Sequence, residues 1–211
     1  MTEPDQPFEE IYAQAGDHLD TIPWAALAPS PALTAWLDSD IAPRPRDGAR
    51  ALVVGCGLGD DAEELAGRGW RTAGFDLSPT AIARCHDRFP DSVVEYQVAD
   101  LFSLPARFTG AFELVVEIRT LQSLPLEVRA PAVTAIARTV APGGVAYVRC
   151  FGREPGQPAG RRPWPVSRDE LAGFERAGLS VRSFDQAGPP GGRMFTIVYE
   201  RPRVSAGSPA E

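Results

Sequence analysis

The chain reads as an α/β protein with a doubly wound, mostly parallel seven-stranded sheet, an antiparallel last strand and a helical N-terminal lid. Three observations predict this. From about residue 50, short β-branched apolar runs alternate with segments of helical period, the pattern of a parallel sheet covered on both faces. The first of these runs ends in Gly55, Gly57 and Gly59 and passes directly into a helix-forming segment, a strand, tight turn and helix N-terminus in succession. The last two apolar runs are joined by residues 186–192, rich in Gly and Pro and too short for a crossover helix, so the final strand turns back antiparallel.

Taken in order, residues 1–7 and 203–211 are rich in Pro, Ser, Ala and Glu and are expected to be disordered tails. Residues 8–47 form a helical cap broken by prolines, with Phe8, Ile11, Tyr12 and Ala15 at helical spacing, then Leu33, Trp36 and Leu37 on one face after Pro31. Trp24 lies in the connector between these pieces. Residues 48–202 form the main domain. Its strands are expected at 51–55, 70–76, 93–98, 112–117, 145–151, 179–184 and 193–200. A first helix covers 62–68. Ser78-Pro79 opens the next, an N-cap followed by proline at the first position, with Ile82, Cys85 and Phe89 on its core face. Pro131 is expected at a helix start, before the stripe Val133, Ile136, Ala137 and Val140. Pro142-Gly143-Gly144 is expected to turn the chain into the fifth strand. Residues 152–166 read as a loop, and Ser167-Arg168-Asp169-Glu170 as a capping box for a helix ending near Gly178.

Composition narrows the function. At 211 residues the chain can bury one substantial core. A net charge of −7 argues against a nucleic-acid partner, which needs a basic face. None of the 21 basic residues is a lysine, so lysine Schiff-base or general-base chemistry is excluded. The three cysteines, Cys56, Cys85 and Cys150, are far apart and odd in number, which suits free thiols in a cytoplasmic protein. No metal-ligand spacing, signal peptide or membrane-spanning run is present, so neither a metal nor a membrane is expected.

The candidate site begins at the glycine turn. Its pattern is G-x-G-x-G, with Asp60 where a dinucleotide binder carries its third glycine. Asp61, Glu63 and Glu64 follow, so a pyrophosphate placed here would meet four carboxylates, whereas a cofactor without phosphates would not. Asp76 ends the second strand, where a carboxylate accepts hydrogen bonds from a ribose diol; Leu77 follows it. Asp100, past the third strand, is placed to accept from an adenine amine, with Leu101 and Phe102 as apolar contacts, or else is a loop aspartate satisfied by nearby backbone. Glu117 ends the fourth strand and either pairs with Arg119 or faces cofactor and substrate. Cys56 is expected as a small residue inside the turn. Trp24, Tyr12, Trp36 and Trp164 offer apolar walls, and Arg153, Arg161 and Arg162 either hold an anionic substrate or are solvated. His18 and Glu117 are the candidate catalytic groups, His18 as a general base for a hydroxyl or thiol, with Asp17 nearby.

Gly55-Cys56-Gly57-Leu58-Gly59, Asp76, Ala99-Asp100 and Ala141-Pro142-Gly143-Gly144, in that order, resemble the successive motifs of class I S-adenosylmethionine-dependent methyltransferases. Arg162-Pro163-Trp164-Pro165-Val166-Ser167 is similar, more weakly, to the thiopurine, halide and thiol methyltransferase-like subgroup. The resemblance implies S-adenosyl-L-methionine as cofactor, bound by Gly55, Cys56, Gly57, Asp76, Leu77, Asp100, Leu101, Glu117 and Trp24. It implies in-line methyl transfer to a small-molecule sulfur, oxygen, nitrogen or halide nucleophile. The Asn/Asp-Pro-Pro-Tyr/Phe motif of nucleic-acid amino methyltransferases is absent after the fourth strand. The alternatives are a non-catalytic S-adenosylmethionine-binding module and an NAD(P)-dependent oxidoreductase. The second is disfavoured by Asp60 and the acidic helix start.

Overall fold

A computed structural model describes residues 7–154, 156–189 and 192–203. The tails expected at 1–7 and 203–211 lie, apart from residues 7 and 203, outside the described residues. The chain divides into two compact units, residues 1–104 and 105–211.

In the first unit, β1 (Arg50–Val54), β2 (Arg71–Asp76) and β3 (Glu95–Val98) are parallel, in the order β3-β2-β1. The register sets Val54 beside Phe75 and Asp76 beside Val98, so all three strands present their carboxyl ends together. β1 is buried from Ala51 to Val54, which is why it reads as an unbroken apolar run. β3 begins two residues later than its apolar pattern suggests, because Val93 is 80% exposed. Four helices accompany the strands: α1 (Pro7–Ala15), α2 (Pro31–Asp38), α3 (Asp60–Gly67) and α4 (Pro79–Arg88). Ser78 caps α4 as expected, its Oγ accepting from the Ala81 N–H at 3.0 Å. The expected face of α2 is half right: Leu33 and Leu37 are fully buried, whereas Trp36 is only half-buried.

The N-terminal helix belongs to this unit's core. Tyr12, Ala15 and Ile22 are buried with Leu58 and Ala81, and Phe8, Ile11, Leu19, Trp24 and Ala25 pack around them. A polar clip sets its position. The Glu9 carboxylate accepts from the Ser78 hydroxyl, the Thr80 hydroxyl (2.5 Å) and the Thr80 N–H (3.3 Å), at the start of α4. Burial disfavours the charged form of Glu9, but the bonds from Ser78 and Thr80 outweigh it and hold its pKa below the ordinary value.

In the second unit, β4 (Phe112–Ile118) and β5 (Val140–Arg153) are parallel, and β8 (Met194–Glu200) is antiparallel to both β5 and β7 (Ser180–Ala187). The order is β4-β5-β8-β7, and a two-residue strand, β6 (Val166–Ser167), pairs with β5. The fold class is therefore as expected: mostly parallel strands flanked by helices, with the last pair antiparallel.

Three local expectations are corrected. Pro131 lies inside α5 (Leu126–Thr139), which starts after Pro125. Pro131 is on the exposed face, where water can meet the carbonyl it leaves unpaired, while Ala132, Val133, Ile136 and Ala137 hold the opposite face in the core and offset the lost bond. Pro142-Gly143-Gly144 is not a turn ahead of the fifth strand. It is a bulge within β5, where pairing jumps from Phe112–Val140 to Leu114–Val145 and Gly143 takes φ +76°. The segment after Ser167 forms its capping box, but as two four-residue helices, α6 (Arg168–Leu171) and α7 (Gly173–Arg176).

Because Glu9 has a folded pKa below its unfolded value of 4.5, its clip is complete above about pH 4.5 and is lost as pH falls through the lower folded value. Hydrogen exchange across residues 7–15 is expected to speed up about fivefold in Glu9→Gln at pH 7, and in the unaltered protein only below about pH 4.5. Equal protection in both proteins at pH 7 would show that the clip does not hold the helix.

Candidate active site

Gly55, Gly57 and Gly59 all occupy left-handed backbone, at φ +61°, +55° and +91°, which only glycine adopts without strain. The Cys56 N–H bonds the Phe75 carbonyl at 2.8 Å and extends the β1–β2 ladder into the turn. The Gly57 N–H then donates to Asp76 Oδ2 at 3.0 Å, while Asp76 Oδ1 accepts from the Ser78 N–H at 3.0 Å. Burial raises the Asp76 pKa, and backbone N–H groups of Ser78, Gly57 and Leu77 oppose that rise. Those three donors still leave the carboxylate with acceptor capacity for a hydroxyl.

The third glycine has a different task. A Cβ on Gly59 would come within 2.5 Å of the Tyr96 hydroxyl, so Gly59 is needed for packing against β3. The Cys56 thiol is buried next to Cys85. It packs against Gly74, where an added Cβ would come within 3.3 Å of Sγ. A hydrogen bond with Cys85, together with burial, pushes the Cys56 thiol pKa up, so it stays neutral.

The acidic helix start differs from its expected character. Asp60 is held by Arg88 through two bonds of 2.9 and 2.7 Å, and Glu64 pairs with Arg68. Asp61 accepts from the Ser30 N–H at 2.7 Å. Glu63 accepts from the Ser92 and Tyr96 hydroxyls at 2.5 and 2.7 Å. These acids are structural groups with partners, so repulsion of a pyrophosphate by four free carboxylates does not describe this turn.

The remaining first-unit candidates are spread around it. Leu77 is 44% exposed beside Asp76. Asp100 is exposed and caps a 3-10 turn through the Phe102 N–H at 2.9 Å, which is the satisfied-aspartate alternative, with its second oxygen uncommitted to that cap. Leu101 is buried, and Phe102 is 48% exposed. His18 is exposed, makes no capping bond and flanks a 3-10 turn; Asp17 is ion-paired to Arg84 at 3.3 Å. Trp24 is half-buried, and its Nε1–H donates to the Tyr12 hydroxyl at 2.9 Å. Tyr12, read from sequence only as an apolar wall, brings its hydroxyl to the turn: a Cβ on Gly57 would lie 3.1 Å from it. Its helical spacing marks Tyr12 as core, but nothing in that spacing shows the contact with Gly57.

In the second unit, Glu117 is fully buried at the end of β4. Its Oε1 accepts from the Thr120 and Leu121 N–H groups at 2.7 and 2.9 Å, while Oε2 is buried without a hydrogen-bond partner among the described residues. Burial raises its pKa to about 7 against those two donors. Arg119 does not pair with it. Its backbone takes φ +66° to fold the turn back over Glu117, and its guanidinium lies 5.9 Å from the Phe151 ring. Arg153 is committed to Glu170 (2.7 Å) and to the Pro165 and Gln157 carbonyls, and Arg162 lies over Trp164. A substrate-binding role for Arg153 is therefore corrected to a structural one. Arg129, 1% exposed, joins the same network through Glu170 at 2.8 Å and the carbonyls of Trp164 and Pro165.

Residues 51–144 match the family described as a methyltransferase domain. A ubiquinone biosynthesis O-methyltransferase of Dechloromonas aromatica is 33% identical over 122 residues, covering 57% of this chain and 50% of that protein. The chain thus spans about half the length of the curated relatives it matches. A TehB-like S-adenosylmethionine-dependent methyltransferase from Corynebacterium glutamicum is 25% identical with a TM-score of 0.67, covering 93% of this chain and all of that one. A structure titled for conversion of a disulfide bond into a thioacetal group during echinomycin biosynthesis has a TM-score of 0.75 at 23% identity, covering 95% and 93% of the two chains. Residues 51–144 thus carry the match to a methyltransferase domain, and the fold is similar to that of S-adenosylmethionine-dependent methyltransferases.

Asp76→Ala is expected to weaken binding of S-adenosylhomocysteine about tenfold or more by calorimetry, with the melting temperature kept within a few degrees. Unchanged affinity would remove Asp76 from the site.

Proposed function

We propose that the chain transfers a methyl group from S-adenosylmethionine to a small molecule that reacts through a hydroxyl. The observation that carries the cofactor assignment is the Asp76 carboxylate. It is tied by the Gly57 N–H to a turn of left-handed glycines and keeps acceptor capacity for a ribose diol. The residues fit the group. The Gly57 Cα has no side chain to block an approach, Leu77 and Trp24 are accessible beside it, and Leu101 adds apolar surface. When bound, S-adenosylmethionine supplies a methyl carried on a sulfonium, already a strong electrophile.

The chain's own contribution is to bind, to orient and to take up a proton. In this reading Asp76 holds the ribose and Asp100 stands by the adenine with its uncommitted oxygen. Positioning and water exclusion supply much of the rate. A thiolate acceptor needs no base, whereas a hydroxyl does. Glu117 is suited to that task on its own geometry: one oxygen is fixed by two N–H groups, the other is free, and its pKa lies near 7. The O-methyltransferase relatives favour the same nucleophile. His18 is the weaker base on this reading, because it stands in solvent on a surface turn. No helix among the described residues is long and apolar enough to cross a membrane, consistent with an acceptor met from water.

The test is label transfer from methyl-labelled S-adenosylmethionine across a panel of phenols, alcohols, thiols and amines, followed by a pH profile on the best acceptor. A base must be ionised, so kcat/KM should rise with pH and level off above about 7, the value at which Glu117 titrates. Glu117→Gln should lower kcat about a hundredfold or more and abolish that limb. The same raised pKa makes the folded state bind more protons than the unfolded one between pH 4.5 and 7, so stability falls across that interval as pH rises. A profile unchanged by the substitution would dismiss Glu117 as the base.

A further inference from the structure

Tyr12 carries a hydroxyl hydrogen with no acceptor among the described residues. Its hydroxyl oxygen accepts from Trp24 Nε1–H at 2.9 Å, so one lone pair is occupied and the hydroxyl hydrogen must be donated elsewhere. The residue is 4% exposed, and burial together with the nearby Asp76 charge pushes its pKa well up, so the hydroxyl remains a phenol at every working pH. It sits above the glycine turn, 3.1 Å from where a Gly57 Cβ would be. Two aromatic edges fix it there. Trp24 meets the Tyr12 ring at 5.6 Å between centroids and the Phe8 ring at 5.3 Å. The Glu9 clip sets the helix that carries it. This is a placed donor in a nearly dry position, directed at the surface that Gly57 keeps bare.

We propose that the Tyr12 hydroxyl donates to the carboxylate of the cofactor's amino-acid moiety and makes α1 a reader of that end of the ligand. The inference rests on the reading of the turn as an S-adenosylmethionine site. Two observations direct the donor to the carboxylate. A buried neutral donor gains most from an anionic acceptor, and the carboxylate is the one anionic group such a cofactor has. The guanidinium that reaches the turn's edge, Arg88, is bonded to the Leu58 carbonyl and held by Asp60 on both nitrogens. It is not available to balance the carboxylate, and the chain contains no lysine. The Tyr12 donor offers nothing to a ligand that ends at the thioether.

The test compares two ligands by calorimetry: S-adenosylhomocysteine, and 5′-methylthioadenosine, which keeps the adenosine and thioether but lacks the amino acid. Tyr12→Phe keeps the ring and deletes the donor. It is expected to weaken S-adenosylhomocysteine about tenfold while leaving methylthioadenosine within twofold. Equal weakening of both ligands by Tyr12→Phe, or no weakening of S-adenosylhomocysteine, would overturn the proposal while the cofactor reading stood. An unaltered protein that binds neither ligand would overturn the cofactor reading, and this inference with it.

Discussion

The bond from the Gly57 N–H to the Asp76 carboxylate is the constraint on which the site depends. It joins the ends of two adjacent parallel strands whose register places Val54 beside Phe75, and it fixes the turn between β1 and α3. The Ser78 and Leu77 N–H groups share in holding the carboxylate, and the Cys56 N–H bond to the Phe75 carbonyl shares in holding the turn. Held together, they present acceptor oxygens beside bare backbone, a surface fitted to a ribose diol and the chain that follows it.

The N-terminal helix completes that surface, and its attachment is a second layer of the same logic. Glu9 is bonded to the first turn of α4, which begins three residues after Asp76. The strand end, the helix start and α1 therefore form one connected polar chain running from Gly57 through Asp76 and Ser78 to Glu9. Tyr12 rides on α1 one turn after Glu9, with Trp24 setting the direction of its hydroxyl. Arg88, the guanidinium at the turn's edge, is spent on Asp60.

Much of this was legible in the sequence, and the limits have physical causes. The β1 and β2 runs, the glycine turn, the Ser78 cap and the Ser167 capping box are local, and local patterns declare themselves. What could not be read depends on distant partners. Asp60 looks like free charge until Arg88, 28 residues on, folds against it, and Glu9 looks like a surface acid until α4, about 70 residues on, reaches it. Tyr12 has the spacing of a core residue, and its spacing describes its ring correctly but says nothing about its hydroxyl. Pro131 was misread because a proline on an exposed helical face is tolerated when the buried face is strong. Glu117 was singled out by its place at a strand end. Its raised pKa comes from burial, against the two N–H groups that the turn at Arg119 supplies, and its second oxygen is left without a partner among the described residues.

The central claim is that the Gly57–Asp76 turn holds an adenosyl group without a pyrophosphate. Thermal unfolding of the full chain with S-adenosylhomocysteine, S-adenosylmethionine, NAD and NADP tests it most directly. At saturating ligand, either adenosyl compound should raise the melting temperature by about 5 °C or more, and neither dinucleotide should move it by more than about a degree. Stabilisation by a dinucleotide, with none by S-adenosylmethionine or S-adenosylhomocysteine, would contradict it.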